Sequence, residues 1–142
     1  PSSAASDVYK RQDRRRGKMT SIVIVSHSNK IAEGIKDLNL QMTDNGINII
    51  DIGGLDDNGI GTSFDRILSV INELDDDAIC FYDIGSAGMN LDMAIEMYEG
   101  SHRIEKMEAP VVEGSFIASV ALKSNMTMDE TIAEVKEQLK ND

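Results

Sequence analysis

The chain has 142 residues, 41% of them hydrophobic and 27% charged, with a single cysteine and a formal net charge of −11. One domain with one core is expected; the lone Cys80 excludes an internal disulfide framework, and no apolar stretch reaches the roughly 18 residues of a membrane-spanning helix. Six of the 14 Lys/Arg but only two of the 25 Asp/Glu fall in residues 1–18, so the remainder holds eight against 23, a net −15 that repels nucleic-acid phosphates and anionic membranes and suits a partner with a basic face.

Residues 1–18, "PSSAASDVYKRQDRRRGK", show no periodicity and no apolar stretch of a secretory signal. They read as a leader or an artificial scar ahead of a natural start at Met19, with a basic binding arm as the alternative. The domain is then 19–142. "SIVIVS" (21–26) is continuously apolar and predicts a strand covered on both faces. Ile31, Ile35, Leu38 and Met42 recur at helical spacing after it, with Ser28 as N-cap. Asn45-Gly46 signals a turn, and "INIIDI" (47–52) a second strand. The glycine-rich "GGLDDNGIGTS" leads into a helix with Phe64, Ile67, Leu68, Ile71 and Leu74 on one face, capped by Thr62 or Ser63.

"AICFYD" (78–83) predicts the third strand, with Cys80 as a small core residue; a reducing cytoplasm fits. After the loop "IGSAGMN", Leu91, Ala94, Ile95 and Tyr98 mark a third helix that Gly100 ends. "HRIEKM" (102–107) is a short fourth strand, "EAPVVEG" its loop, and "SFIASVALK" a fourth helix. Thr127 and Glu130 form a capping-box pattern opening a last helix, with Ile132, Val135 and Leu139 inward. The order predicts an α/β fold: an open sheet of about four parallel strands with helices on both faces.

Right-handed crossovers place every strand-to-helix loop at one edge of such a sheet, where ligands of open α/β folds bind. His27, Gly61-Thr62, Asp83 to Ser86 and Glu113-Gly114 gather there. His27 sits between a strand end and a helix N-terminus, whose free N–H groups favour an anion. An imidazole so placed can act as a nucleophile toward phosphorus; the alternative is a surface histidine without a task. Asp83 can fix its tautomer if the third strand neighbours the first, and otherwise caps a turn. "GIGTS" and "GSAG" offer backbone and hydroxyls to phosphoryl oxygens. "GIGTSF" lacks the third glycine of a dinucleotide fingerprint, and no Walker A motif is present. His102 precedes the fourth strand, at the opposite edge, and no metal-ligand spacing occurs.

Together, "SHS", "IGTS", "DIGSAG" and "APVVEG", in that order at one rim, resemble the phosphotransfer subunit of phosphoenolpyruvate-dependent dihydroxyacetone kinase, over residues 19 to 141. That family has the fold of the mannose-type enzyme IIA domains of the bacterial sugar phosphotransferase system. The resemblance implies that His27 accepts a phosphoryl group from the histidine phosphocarrier protein. It then passes the group to ADP held by the nucleotide-binding subunit of the kinase. Asp83 matches the carboxylate beside the active histidine; Ser26, Ser28, Gly61, Thr62, Gly85 and Ser86 match the phosphoryl and loop-binding positions around it. No metal or cofactor is implied. A cytoplasmic homodimer, associating through its sheet-edge region and served by a separate phosphocarrier, is expected. Two alternatives stay open at this point: an enzyme IIA of a mannose-type sugar transporter, and a flavodoxin-like module that holds phosphate or flavin without covalent chemistry.

Overall fold

In the computed structural model, which describes residues 20–140, strands and helices alternate along the chain. They are β1 (Ser21–Ser26), α1 (Asn29–Met42), β2 (Ile49–Gly53), α2 (Phe64–Asn72), β3 (Ala78–Tyr82), α3 (Gly85–Glu96), β4 (Ile104–Lys106), α4 (Val111–Lys123) and α5 (Met128–Leu139). The readings of residues 1–18 and of Met19 fall outside the described residues. The sheet is fully parallel, in the order β2-β1-β3-β4. Among the described residues, no helix is long and apolar enough to cross a membrane.

The apolar run of β1 has a simple cause. Alternate side chains of a strand point to opposite faces, and both faces of β1 are covered. Ile22 and Ile24, with Ile79 and Phe81 of β3, meet Ala32 and Ile35 of α1, Ala118 of α4 and Met128 and Val135 of α5. Val23 and Val25, with Ala78 and Cys80, meet Ile67 and Ile71 of α2 and Ala87, Leu91 and Ala94 of α3. These two cores make the three-layer α/β/α arrangement. Burial of Cys80 pushes its thiol up to about 12, so it is an inert core residue.

Three helix ends follow their predicted caps. Ser28 Oγ accepts from the Ile31 amide at 3.3 Å. Ser63, rather than Thr62, accepts from the Arg66 amide at 3.2 Å, and Thr127 with Glu130 completes the capping box.

Other expectations are corrected. The inward face of α1 is Ala32, Ile35 and Asn39, whereas Ile31, Leu38 and Met42 stay exposed. Asn39 takes the inward place because its Nδ2 donates to Ser115 Oγ of α4 at 3.0 Å, a buried polar bridge that apolar periodicity does not reveal. β2 begins at Ile49 and β4 spans only 104–106. α3 ends at Glu96, not at Gly100: its last carbonyls receive the Met97 and Tyr98 amides, with no left-handed residue needed. α4 begins at Val111, directly after Pro110, so "VVEG" is helix and not loop. Pro110 and Glu113 both suit a helix start, and Gly114 lets α4 approach the sheet, since a Cβ there would lie 3.0 Å from Phe81 Cε1.

Candidate functional site

The sheet order reverses direction at β1: the chain steps outward from β1 to β2, then returns to place β3 on the other side of β1. The loops leaving β1 and β3 therefore part and leave a crevice between them. His27 follows β1, and Asp83 follows β3. The Asp83 amide donates to the Val25 carbonyl at 3.2 Å, which extends the strand pairing to the edge of the crevice.

Asp83 accepts four hydrogen bonds. Its Oδ2 receives the Ser26 hydroxyl at 2.8 Å and the His27 amide at 3.0 Å. Its Oδ1 receives the Ile84 amide at 2.6 Å and lies 3.0 Å from His27 Nδ1. A carboxylate only accepts, so Nδ1 carries the proton and Nε2 carries the lone pair. Burial opposes ionisation of Asp83, but the His27 amide and ring, the Ser26 hydroxyl and the Ile84 amide outweigh it. They hold the carboxyl below the ordinary carboxylate range.

The sign of the resulting pH dependence follows. The unfolded chain protonates Asp83 near 3.8, the folded chain only at lower pH. The stabilisation is complete above that ordinary value and is lost as pH falls through the lower folded value. Urea midpoints measured from pH 6 downward should fall more steeply for the parent than for Asp83→Asn; parallel acid limbs would refute the linkage.

Nε2 is the open end of the ring. It lies 2.7 Å from Ser86 Oγ, whose hydroxyl can donate to its lone pair. Ser86 is the second residue of α3, a helix whose N-cap, Ile84, supplies no side-chain hydrogen bond. Among the described residues, the Gly85 and Ser86 amides have no acceptor. A helix N-terminus with free amides thus adjoins the one ring nitrogen able to attack. The His27 side chain is 18% exposed and Asp83 13%, so the ring is reachable while the carboxylate beside it is more sheltered.

The remaining predicted residues divide by task. Ser26 is buried and fully engaged, donating to Asp83 and accepting from the Ser28 amide at 3.0 Å. Ser28 caps α1. The Gly61 amide donates to the His27 carbonyl at 2.8 Å, and its φ of +144° suits glycine. Thr62 Oγ1 accepts from Asn90 Nδ2 at 2.7 Å, which leaves its hydroxyl proton free. Glu113 and Gly114 make no hydrogen bond to His27 or Asp83, since they belong to the first turn of α4. His102 pairs with Asp77 at 3.6 Å, beside the start of β4. Among the described residues, no three His, Cys, Asp or Glu side chains cluster as metal ligands.

Three supporting residues escape a reading of the sequence. Asn90 holds Thr62. Arg66 donates to the Gly53 carbonyl at 3.0 Å and the Gly54 carbonyl at 3.4 Å, pinning the loop after β2. Its signal was a cation in the first turn of α2, where the helix dipole disfavours one. Gly53 ends β2 against the start of α1: a Cβ there would meet Ser28 O at 2.6 Å and Ala32 Cβ at 2.8 Å. Gly53→Ala is therefore expected to destabilise by about 1–3 kcal/mol and to displace the His27 loop. Gly34→Ala, with nothing within 4 Å, should instead stabilise α1 by about 0.5–1 kcal/mol. Denaturant midpoints of the two variants check both signs.

A family model for the fructose IIA component of the phosphotransferase system, EIIA-man, matches residues 21–136. The chain belongs to this family. It is 43% identical over 119 residues to the phosphotransferase subunit DhaM of the PTS-dependent dihydroxyacetone kinase of Lactococcus lactis, covering 83% of this chain and 91% of that one. It is 35% identical over 124 residues to the phosphoryl donor subunit DhaM of PEP-dependent dihydroxyacetone kinase 2 of Listeria innocua, covering 82% and 97%. A crystal structure of a protein of unknown function superposes with a TM-score of 0.76 at 31% identity, over 83% of this chain and 93% of that one. In this EIIA-man member, His27 is hydrogen-bonded to both Asp83 and Ser86 at the crevice.

Proposed function

We propose that this chain is the phosphoryl donor subunit of a phosphoenolpyruvate-dependent dihydroxyacetone kinase, and that it carries the phosphoryl group on His27 Nε2. The supporting observation is the pairing of Nδ1 with Asp83 and the exposure of Nε2 beside the uncapped start of α3. The names of the relatives support the choice of kinase over sugar transport.

In the loading step the Nε2 lone pair attacks the phosphorus of the phosphohistidine on the histidine phosphocarrier protein. The new Nε2–P bond forms as the donor N–P bond breaks, and that electron pair stays on the donor ring. The proton on Nδ1 does not move; the ring becomes cationic and Asp83 balances it. The Gly85 and Ser86 amides, the Ser86 hydroxyl and the free Thr62 hydroxyl hold phosphoryl oxygens. In the unloading step a terminal oxygen of ADP, presented by the nucleotide-binding subunit, attacks the same phosphorus, and the bonding pair returns to Nε2. No bound metal or cofactor enters on this chain's side.

Incubation with phosphoenolpyruvate, enzyme I and the phosphocarrier protein, followed by intact mass, tests the reading. One acid-labile phosphoryl group is expected, discharged rapidly by the ADP-loaded kinase subunit. Equal discharge to free ADP, or preferential discharge to a mannose-type enzyme IIB, would overturn the acceptor assignment. A cytoplasmic location and a homodimer go with this proposal; light scattering should give twice the 15.6 kDa chain mass.

A further inference from the structure

The segments that meet at the crevice, 26–29, 60–63 and 83–90, contain no Lys or Arg. Arg66 is taken up by the Gly53 and Gly54 carbonyls. Neutral donors therefore carry much of this chain's hold on a phosphoryl group at Nε2, and a neutral donor helps only when its proton points at the group. The Gly85 and Ser86 amides are fixed by the helix. A hydroxyl is not fixed: its proton turns to suit its surroundings.

Asn90 settles that direction for Thr62. It lies one turn after Ser86 in α3, so the two side chains share a face, and helical side chains lean back toward the N-terminus. Asn90 Nδ2 donates to Thr62 Oγ1 at 2.7 Å. An amide NH₂ only donates, so with that lone pair occupied the Thr62 proton cannot point at Asn90 and is left for another acceptor. The same bond ties α3, whose Ser86 Oγ lies 2.7 Å from Nε2, to the loop whose Gly61 amide holds the His27 carbonyl at 2.8 Å. Asn90 and Thr62 are both half-buried and belong to neither core cluster.

We infer that Asn90 is a positioning residue for phosphoryl transfer: by donating to Thr62 Oγ1 it turns the Thr62 proton toward the oxygens of a phosphoryl group on His27 Nε2. The inference rests on the phosphoryl-carrier reading and adds a residue that acts on the group through another. It commits to the sense of the hydrogen bond and not merely to its presence. A partner of the opposite sense at position 90 would hold the loop equally well and take the proton away from the phosphoryl oxygens.

The test uses the whole chain and phosphoramidate, a small donor that phosphorylates imidazoles directly. The Nε2 lone pair attacks phosphorus, the Nε2–P bond forms as the P–N bond breaks, and that electron pair leaves on ammonia. Intact mass reads the labelling rate. Asn90→Asp keeps the bridge but reverses it, since a carboxylate only accepts. Its rate is expected about tenfold or more below the parent, with Asn90→Ala, which leaves the hydroxyl free to turn, in between. A residue that only ties loop to helix gives the opposite order, because Asn90→Asp retains a tie that Asn90→Ala loses. Melting midpoints of both variants should stay close to the parent's. The Thr62→Val background separates the added charge from the hydroxyl: there each Asn90 substitution should change the rate by no more than about twofold. Parent-like labelling of Asn90→Asp overturns the inference. So does the opposite order, or a slowing in the Thr62→Val background as large as in the parent. The carrier reading is checked apart, with the parent chain and the phosphorylated histidine phosphocarrier protein. A parent that takes no label from that donor ends the carrier reading, and this inference with it; a parent that loads, matched by Asn90→Asp, ends this inference alone.

Discussion

His27→Ala is expected to carry no phosphoryl group after incubation with the complete donor system, while His102→Ala labels as the parent does. The difference should be all or none, because no other group at the crevice can replace an imidazole nitrogen. Ser86 and Thr62 hydroxyls are poor nucleophiles without a base, and the base that touches Ser86 is His27 itself. His102 has the right ring in the wrong place, paired with Asp77 beside the start of β4. The half-buried His27 ring belongs to neither core cluster, so its loss should leave the melting transition close to the parent's. Intact mass at neutral and acidic pH reads the labelling. Normal acid-labile loading of the His27→Ala protein would end the mechanism.

Asp83→Ala is expected to fold and to transfer slowly, on the order of 10²-fold or more below the parent. In the proposed mechanism the carboxylate does three things at once. It keeps the proton on Nδ1, balances the cationic ring in the loaded state, and fixes the His27 backbone through the amide bond at 3.0 Å. Without it the ring samples both tautomers, and only one leaves Nε2 free to attack. Asp83→Asn should be little better. One carboxamide oxygen cannot serve donors on both sides, and its NH₂ would face either the Ser26 hydroxyl and His27 amide or the Nδ1 proton. Quenched-flow loading rates against phosphocarrier concentration separate the outcomes: a lower maximal rate with unchanged saturation is expected. Parent-like maximal rates in both variants would show that Asp83 is only a turn cap.

The local signals in the chain were those that need no partner element. An uninterrupted apolar hexapeptide means a strand covered twice, and β1 is buried at every position. Ser28, Ser63 and Thr127 mark helix starts because their hydroxyls bond amides two or three residues ahead. Alternation of strands with helices leads to a parallel sheet, and so places His27 and Asp83 at strand ends on one edge. Those inferences are local or topological, and they need only the order of the residues.

The rest was decided only in three dimensions. Nothing in the order of residues says that β3 pairs with β1 rather than adding beyond β2. That choice puts the Asp83 carboxylate 3.0 Å from His27 Nδ1. On α1 the apolar spacing of Ile31, Leu38 and Met42 pointed to the wrong face, because the inward side is set by α4 and by the Asn39–Ser115 bridge between them. Gly53 looks like a flexible loop residue until the start of α1 is seen lying against it. The physical reason is common to all three. Periodicity and capping are properties of one segment, whereas strand order, the covered side of a helix and the clearance at a glycine are properties of the neighbour that packs there.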